Sequence, residues 1–250
     1  MTTRYWPLFA IGLGLGMMVL APPVGAQEFS VDFGDGPSLS GRSVQLILLL
    51  TVLSLAPGLA VMITCFPLIV TVLSLLRQAI GVQQAPPNMM IVGLAMFLSW
   101  YVMDPVLTEA WEQGLGPLSR EEMEPGPAIT AALVPFRAFM ASRMDMSTFE
   151  HMANLRPNVP PPDTVENAPL SLLVPTFMLS EIKRAFEIGF YIFLPFLVID
   201  LVVSAVLMSM GMMMVPPASV SLPFKLAFFV VGNGWTLLSE ALVRSYIGGG

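Results

Sequence analysis

The sequence predicts an all-α protein: membrane-associated kinked helical hairpins, about four hydrophobic units after a signal peptide, with an acidic extracytoplasmic helical segment. Three observations predict it. Hydrophobic residues make up 55% of the 250 and charged ones only 11%, with a mean hydropathy of +0.77, far from the roughly 25% charge of an ordinary soluble domain. Uncharged runs exceed the length of one membrane crossing. The 23 prolines, about twice the usual ~5% share, argue against smooth, uniform spans.

Arg4 precedes an apolar stretch from Trp6 to Leu20, and Val24-Gly25-Ala26 supplies the small residues that precede a signal-peptidase cut. Residues 1–26 therefore read as a signal peptide cleaved after Ala26, since the stretch is short for the ~20 residues a span needs; an uncleaved anchor is the alternative. Residues 27–45, with Glu28, Asp32, Asp35 and the turn formers Gly34, Gly36 and Pro37, form a flexible external lead. Residues 46–107 make a first hydrophobic helical hairpin. Its charge-free run from Ser43 to Leu76 would be roughly 50 Å as one helix against a ~30 Å hydrocarbon core. Pro57-Gly58 and Pro67 divide that run, giving a kinked helix or a tight hairpin. After the turn at Gly81 to Pro87, Asn88 to about Leu107 is a second membrane-length helix.

Residues 108–169 form the acidic segment, read as periplasmic. Between Asp104 and Pro169 lie ten acidic and four basic side chains, so this stretch holds the whole net charge of -6. One helix is expected from about Ile129 to Leu155, with Phe136, Phe139, Met140, Met144, Phe149 and Met152 as its apolar stripe, ended by Asn158 to Pro162. Residues 170–250 are the second hydrophobic hairpin: Leu170 to Ser180, a knot of Glu181, Lys183, Arg184 and Glu187, then Ile188 to Phe224 with Asp200 as its one charge. Pro195 and Pro216-Pro217 are the expected breaks. With Gln27 outside, Arg77 and Lys225 fall on the cytoplasmic side but Lys183 and Arg184 outside, against the basic-inside bias, so these helices are not plain spans or the topology is unusual.

Several functions are excluded on composition. A net charge of -6 gives no standing affinity for nucleic acid, which needs clustered Lys and Arg. A single cysteine, Cys65, and a single histidine, His151, supply neither an internal disulfide nor a zinc site. There is no Gly-x-Ser-x-Gly, His-Glu-x-x-His or Walker loop. The protein is read as a non-enzyme without cofactor or metal, drawing any transport energy from a gradient or a partner.

Asp200 and Lys225 stand inside apolar runs, where an unpaired charge costs at least ~2.5–3.5 kcal/mol, so each needs a partner or water. A structural ion pair, within or between subunits, and an ion-transport site both fit. The Glu181 to Glu187 knot fits interface or surface salt bridges. The string Leu207-Met208-Ser209-Met210-Gly211-Met212-Met213-Met214-Val215-Pro216-Pro217 is the most unusual. Flexible, polarisable methionines can ring a pore and close it to ions by dewetting, yet deform around a passing chain; they can equally fill an irregular helix contact.

Several motifs together carry a resemblance: Phe177 to Glu181, Ala185 to Phe190, Leu194 to Asp200, Met208 to Pro217, Leu222 to Lys225, Phe66-Pro67, Leu75 to Gly81 and Pro86-Pro87-Asn88. From about Leu46 to Tyr246 the chain resembles the FliP family, the export-gate proteins of bacterial flagellar type III secretion. The likeness is loosest over residues 107–168, and Asn233 stands where the family commonly has an acidic residue. The resemblance implies several copies assembling with FliQ and FliR into a closed helical pore at the bacterial inner membrane, within the flagellar basal body. That pore would accept unfolded flagellar subunits from a cytoplasmic export apparatus and sit largely above the bilayer plane, in contact with membrane lipid. By the same resemblance, Met212, Met213 and Met214 form the constriction, flanked by Met208 and Met210. Glu181, Asp200 and Lys225 match charged positions that hold neighbouring subunits or hairpins together, with the pairing open. The rivals are a virulence-type (injectisome) gate subunit, a small-solute or proton-coupled transporter with Asp200 as its ion site, and a passive membrane scaffold.

Overall fold

Phe66-Pro67 starts the helix against which much of the core packs. The computed structural model describes residues 39–82, 85–155 and 164–247. The expected signal peptide at 1–26, the lead up to residue 38 and the expected stop at Asn158 to Pro162 lie outside the described residues. The chain divides into two compact units, residues 1–50 and 51–250; of the first, the described part is wholly helical.

In order, the α-helices are α1 (Leu39–Met62), α2 (Phe66–Ile80), α3 (Asn88–Ala110), α4 (Gly116–Ser119), α5 (Pro125–Arg143), α6 (Met146–Asn154), α7 (Leu170–Ser209), α8 (Pro217–Val231) and α9 (Gly234–Ile247). A π-helical segment at Trp111–Leu115 joins α3 to α4, and a 3-10 turn, Val165–Asn167, precedes α7. No strand occurs among the described residues. By length and composition α3 with its continuation (Asn88–Ser119) and α7 can each cross a membrane, and α8 with α9, bent by 61°, can form one broken span.

Proline proves a poorer guide to breaks than the sequence suggests. α1 begins at Leu39, inside the expected flexible lead, and runs through Pro57-Gly58 to Met62; the interruption falls at residues 63–65, just before Pro67. α7 runs for 40 residues and contains both Pro175 and Pro195, so the expected break at Pro195 is absent. The reason is the cost of the alternative. An interior proline removes one helical hydrogen bond, whereas opening an apolar helix exposes several backbone groups at a few kcal/mol each. Phe196, the next residue, is also pinned by the rings of Phe228 and Phe229, 6.0 and 6.4 Å away. Pro216-Pro217 does mark a break, because α7 has already been capped before it and Pro217 opens α8.

The expected helix from Ile129 to Leu155 is two helices, split at Met144-Asp145. Asp145 is the cause: its carboxylate accepts the Thr148 amide (3.2 Å) and the Ser147 hydroxyl (2.5 Å), capping α6 and outcompeting continuation of α5. The expected stripe is nevertheless the buried one. Met140 and Phe149 are core, with Phe139, Met144 and Met152 packed on them beside Leu173 and Phe177 of α7.

In α2, Leu68, Ile69, Val72, Leu73, Leu76 and Ile80 are buried, a helical stripe wide enough to face α3 and α7 together. Thr71 and Ser74 return their hydroxyls to Pro67 and Val70 carbonyls at 2.7 Å, so the polar groups cost little where they are half-buried. Gly189 of α7 sits where α2 comes nearest: a Cβ there would lie 2.3 Å from Leu75 Cδ1. Gly189→Val is therefore expected to lower stability by about 1–3 kcal/mol through overpacking, read as a lower unfolding midpoint in detergent, and Leu75→Ala in the same chain should recover part of the loss.

Candidate functional site

The methionine string occupies the end of α7 and the connection to α8, and it lies largely uncovered among the described residues. Met213 is 85% exposed and Met214 97%, an apolar exposure shared by neighbouring side chains rather than scattered singly. Met208, on the last turn of α7, and Met210, its C-cap, are exposed too, and Met212 is the least open of the five. The loop has a defined path. Gly211 takes φ +74°, its amide donates to the Met208 carbonyl and the Met212 amide to the Leu207 carbonyl, at 3.1 and 3.0 Å. The Val215 amide then turns back onto the Met212 carbonyl at 3.3 Å, and Pro216 begins the cap of α8.

Behind the loop a charged contact fastens α7 to α8. Lys225 Nζ donates to Asp200 Oδ2 at 2.6 Å and to the Ala79 carbonyl of α2 at 3.1 Å, while the Ser221 hydroxyl donates to Asp200 Oδ1 at 2.6 Å. Lys225 and Ser221 are four residues apart on one face of α8, so a single helical turn presents both donors to one carboxylate. The Lys225 side chain is 8% exposed and that of Asp200 37%. These two charges, left open in sequence, meet within one chain.

Glu181 lies elsewhere, at 0% exposure. It accepts the Tyr246 hydroxyl of α9 and faces the guanidinium groups of Arg143 (3.8 Å) and Arg184 (3.7 Å). Arg143 also donates to the Ser245 carbonyl at 2.6 Å and lies 4.2 Å over the Tyr246 ring. One carboxylate thus joins α5, α7 and α9. The rest of the knot separates from it: Lys183 pairs with Asp145 at the surface, and Glu187 is exposed. Arg143, Tyr246 and Ser221 were not singled out in the sequence, whereas Gly211 stood there only as part of the break before the double proline. Ser221 could have been found from its four-residue spacing to Lys225, whereas Arg143 is 38 residues from Glu181 and carries no local signal. Asn233 takes φ +49° and turns the chain between α8 and α9, its carbonyl accepting the Leu237 amide at 3.1 Å.

The Asp145 carboxyl is held well below the usual carboxylate range, first by Lys183, then by Ser147 and the Thr148 amide. A depressed folded-state pKa contributes stability that is complete above the unfolded value of about 4 and is lost as pH falls through the folded value. Hydrogen exchange in Met146–Asn154 is expected to lose protection as pH drops below about 4, and Asp145→Asn should weaken protection at neutral pH and flatten this dependence.

The residues present form no group of three or more metal-ligating side chains among those described. What the arrangement offers is mechanical: an apolar, exposed loop with a fixed backbone, carried on two helices joined by a half-buried ion pair. Comparison with known proteins agrees with the sequence resemblance. The FliP family model matches residues 49–242. The chain is 51% identical to the flagellar biosynthetic protein FliP of Caulobacter vibrioides over 217 residues, covering 87% of this chain and 81% of that one. It is 43% identical to the protein of the same description in Rhizobium meliloti, over 93% of this chain and 97% of that one. A third, from Bacillus subtilis, is 43% identical over 84% and 95%.

Proposed function

The chain belongs to the FliP family, and from that premise we propose that it is a pore-forming subunit of the bacterial flagellar type III export gate. In this reading several copies assemble with FliQ and FliR in the inner membrane, take unfolded flagellar subunits from the cytoplasmic export apparatus, and place the acidic segment in the periplasm. The relatives are described as flagellar biosynthetic proteins, which favours the flagellar branch over the injectisome one. The protein acts as a conduit rather than a catalyst.

The observation that carries the reading is the bare Met208–Met214 string at the end of α7. Met213 and Met214 are the most open of the string among the described residues, apolar side chains left available to other copies. Converging copies would bring these flexible side chains into one ring, closing a narrow apolar passage by excluding water and parting around a polypeptide. The outer face of α7 supports assembly as well: Phe186, Phe190, Tyr191, Leu197 and Leu201 are exposed along it, a stripe that a neighbour or lipid must cover. Asp200 is already engaged by Lys225 and Ser221, which weighs against a transporter using it as a free ion ligand.

Native mass spectrometry after co-expression with FliQ and FliR is expected to return a discrete particle with several copies of this chain; a monomer or dimer that ignores both would overturn the proposal. Within that particle, replacing Met212, Met213 and Met214 together by alanine should raise resting ion conductance while the copy number stays the same. Unchanged conductance would point to packing methionines and a passive scaffold.

A further inference from the structure

Gly211 is the residue whose backbone decides where the methionines point. The end of α7 is a complete Schellman cap: the amide of Gly211 bonds the Met208 carbonyl at 3.1 Å, that of Met212 bonds Leu207 at 3.0 Å, and Gly211 itself is left-handed at φ +74°. In this motif the left-handed residue reverses the chain and satisfies the last helical carbonyls. Met212 donates the outer of the two bonds and Met213 and Met214 follow directly, so their direction is inherited from the cap. The far side is fixed as well, by the Met212–Val215 turn and by Pro216, whose carbonyl accepts the Ser219 amide at 3.1 Å. The five residues 211–215 therefore have few free torsions.

A Cβ built on Gly211 would meet nothing within 4 Å. A side chain there costs no collision, only the left-handed backbone conformation that L-residues resist and asparagine accepts best among them. We infer that Gly211 is a positioning residue of the gate, holding Met212–Met214 in the one direction from which converging copies close the passage. This rests on the pore reading proposed above.

Open space with a demanding backbone makes the test specific. Gly211→Val should disfavour the native turn by a factor of roughly 5–30, and Gly211→Asn should retain most of it. The readout is resting ion conductance of the fully assembled particle with FliQ and FliR, at matched copy number by native mass spectrometry, with the Met212, Met213, Met214 to alanine variant alongside. The expected result is conductance raised severalfold in Gly211→Val, close to wild type in Gly211→Asn, and raised in the alanine variant. If the alanine variant leaks and Gly211→Val does not, or if valine and asparagine leak alike, the inference about Gly211 is wrong while the pore reading stands. If the alanine variant does not leak, the pore reading itself fails. Should Gly211→Val fail to assemble, Gly211→Ala, which has the same backbone conflict with a smaller side chain, takes its place with the same expected order.

Discussion

Glu181→Ala is expected to be among the most destabilising single substitutions in the chain, by about 3–5 kcal/mol, a fall of roughly 6–20 °C in unfolding temperature for a protein of this size. The charge itself is not what makes the residue valuable. Burying a carboxylate is expensive, and its attraction to Arg143 and Arg184 at 3.8 and 3.7 Å repays that only in part. What the substitution does is strand the partners. Arg143, with a side chain 11% exposed, would keep its bond to Ser245 and its place over Tyr246 but lose its counter-charge, and the Tyr246 hydroxyl would lose its acceptor. Four atoms of this cluster, Arg143 Nε and Nη2, Glu181 Oε1 and Arg184 Nη1, are buried without hydrogen bonds already, so there is no spare polar partner to take over. Removing both sides at once, as Glu181→Met with Arg143→Met, should recover part of the loss, because the most buried arginine is no longer bare while Arg184 and the Tyr246 hydroxyl still lack their acceptor. Equal losses in the single and double variants would show that packing, not the unpaired arginine, sets the cost.

At the second buried pair the two halves should differ. Asp200→Ala leaves the Lys225 ammonium, 8% exposed, with only the Ala79 carbonyl as partner, and should cost about 3 kcal/mol, at the low end for a broken buried pair because Asp200 is partly open. Lys225→Met leaves Asp200 with the Ser221 hydroxyl and a route to its surroundings, and should cost only about 1–2 kcal/mol. Thermal unfolding of the purified chain in detergent checks the order, with the double variant near or above the milder single one. The same variants separate two functions. Loss of assembly and export together with stability fits a fastener between α7 and α8, whereas a stable, assembled Asp200→Asn protein that has lost transport would indicate an ion site.

Much of this protein was legible from its sequence because the relevant signals are local. Hydropathy and run length set the helical class and the apolar units, since backbone groups in an apolar medium must bond within their own helix. The stripe from Phe136 to Met152 identified a buried face before the helix boundaries were known, because burial follows residue type over a turn or two while a boundary depends on one cap, here Asp145. The family, and with it the interest of Met208 to Met214, was carried by motifs that need no coordinates. What misled was Pro195: it lowers helix propensity, yet there propensity lost to the cost of opening an apolar helix, while the helix that continues through Pro57 is one of the two forms the sequence left open.

Only the tertiary structure decided which charges meet. Asp200 and Lys225 are separated by a helix end, a loop and a helix start, and they pair because Pro216-Pro217 returns α8 alongside α7. Glu181 has basic neighbours in sequence at Lys183 and Arg184, but its contacts include Arg143 and Tyr246 from distant helices, while Lys183 turns to Asp145. Sequence proximity could not rank these partners, because Coulomb attraction between flexible side chains is settled by which of them the fold desolvates together. The left-handed turn at Gly211 is by contrast local, closed by backbone bonds among residues 207–212; what the sequence left undecided was that α7 runs its full 40 residues before reaching it.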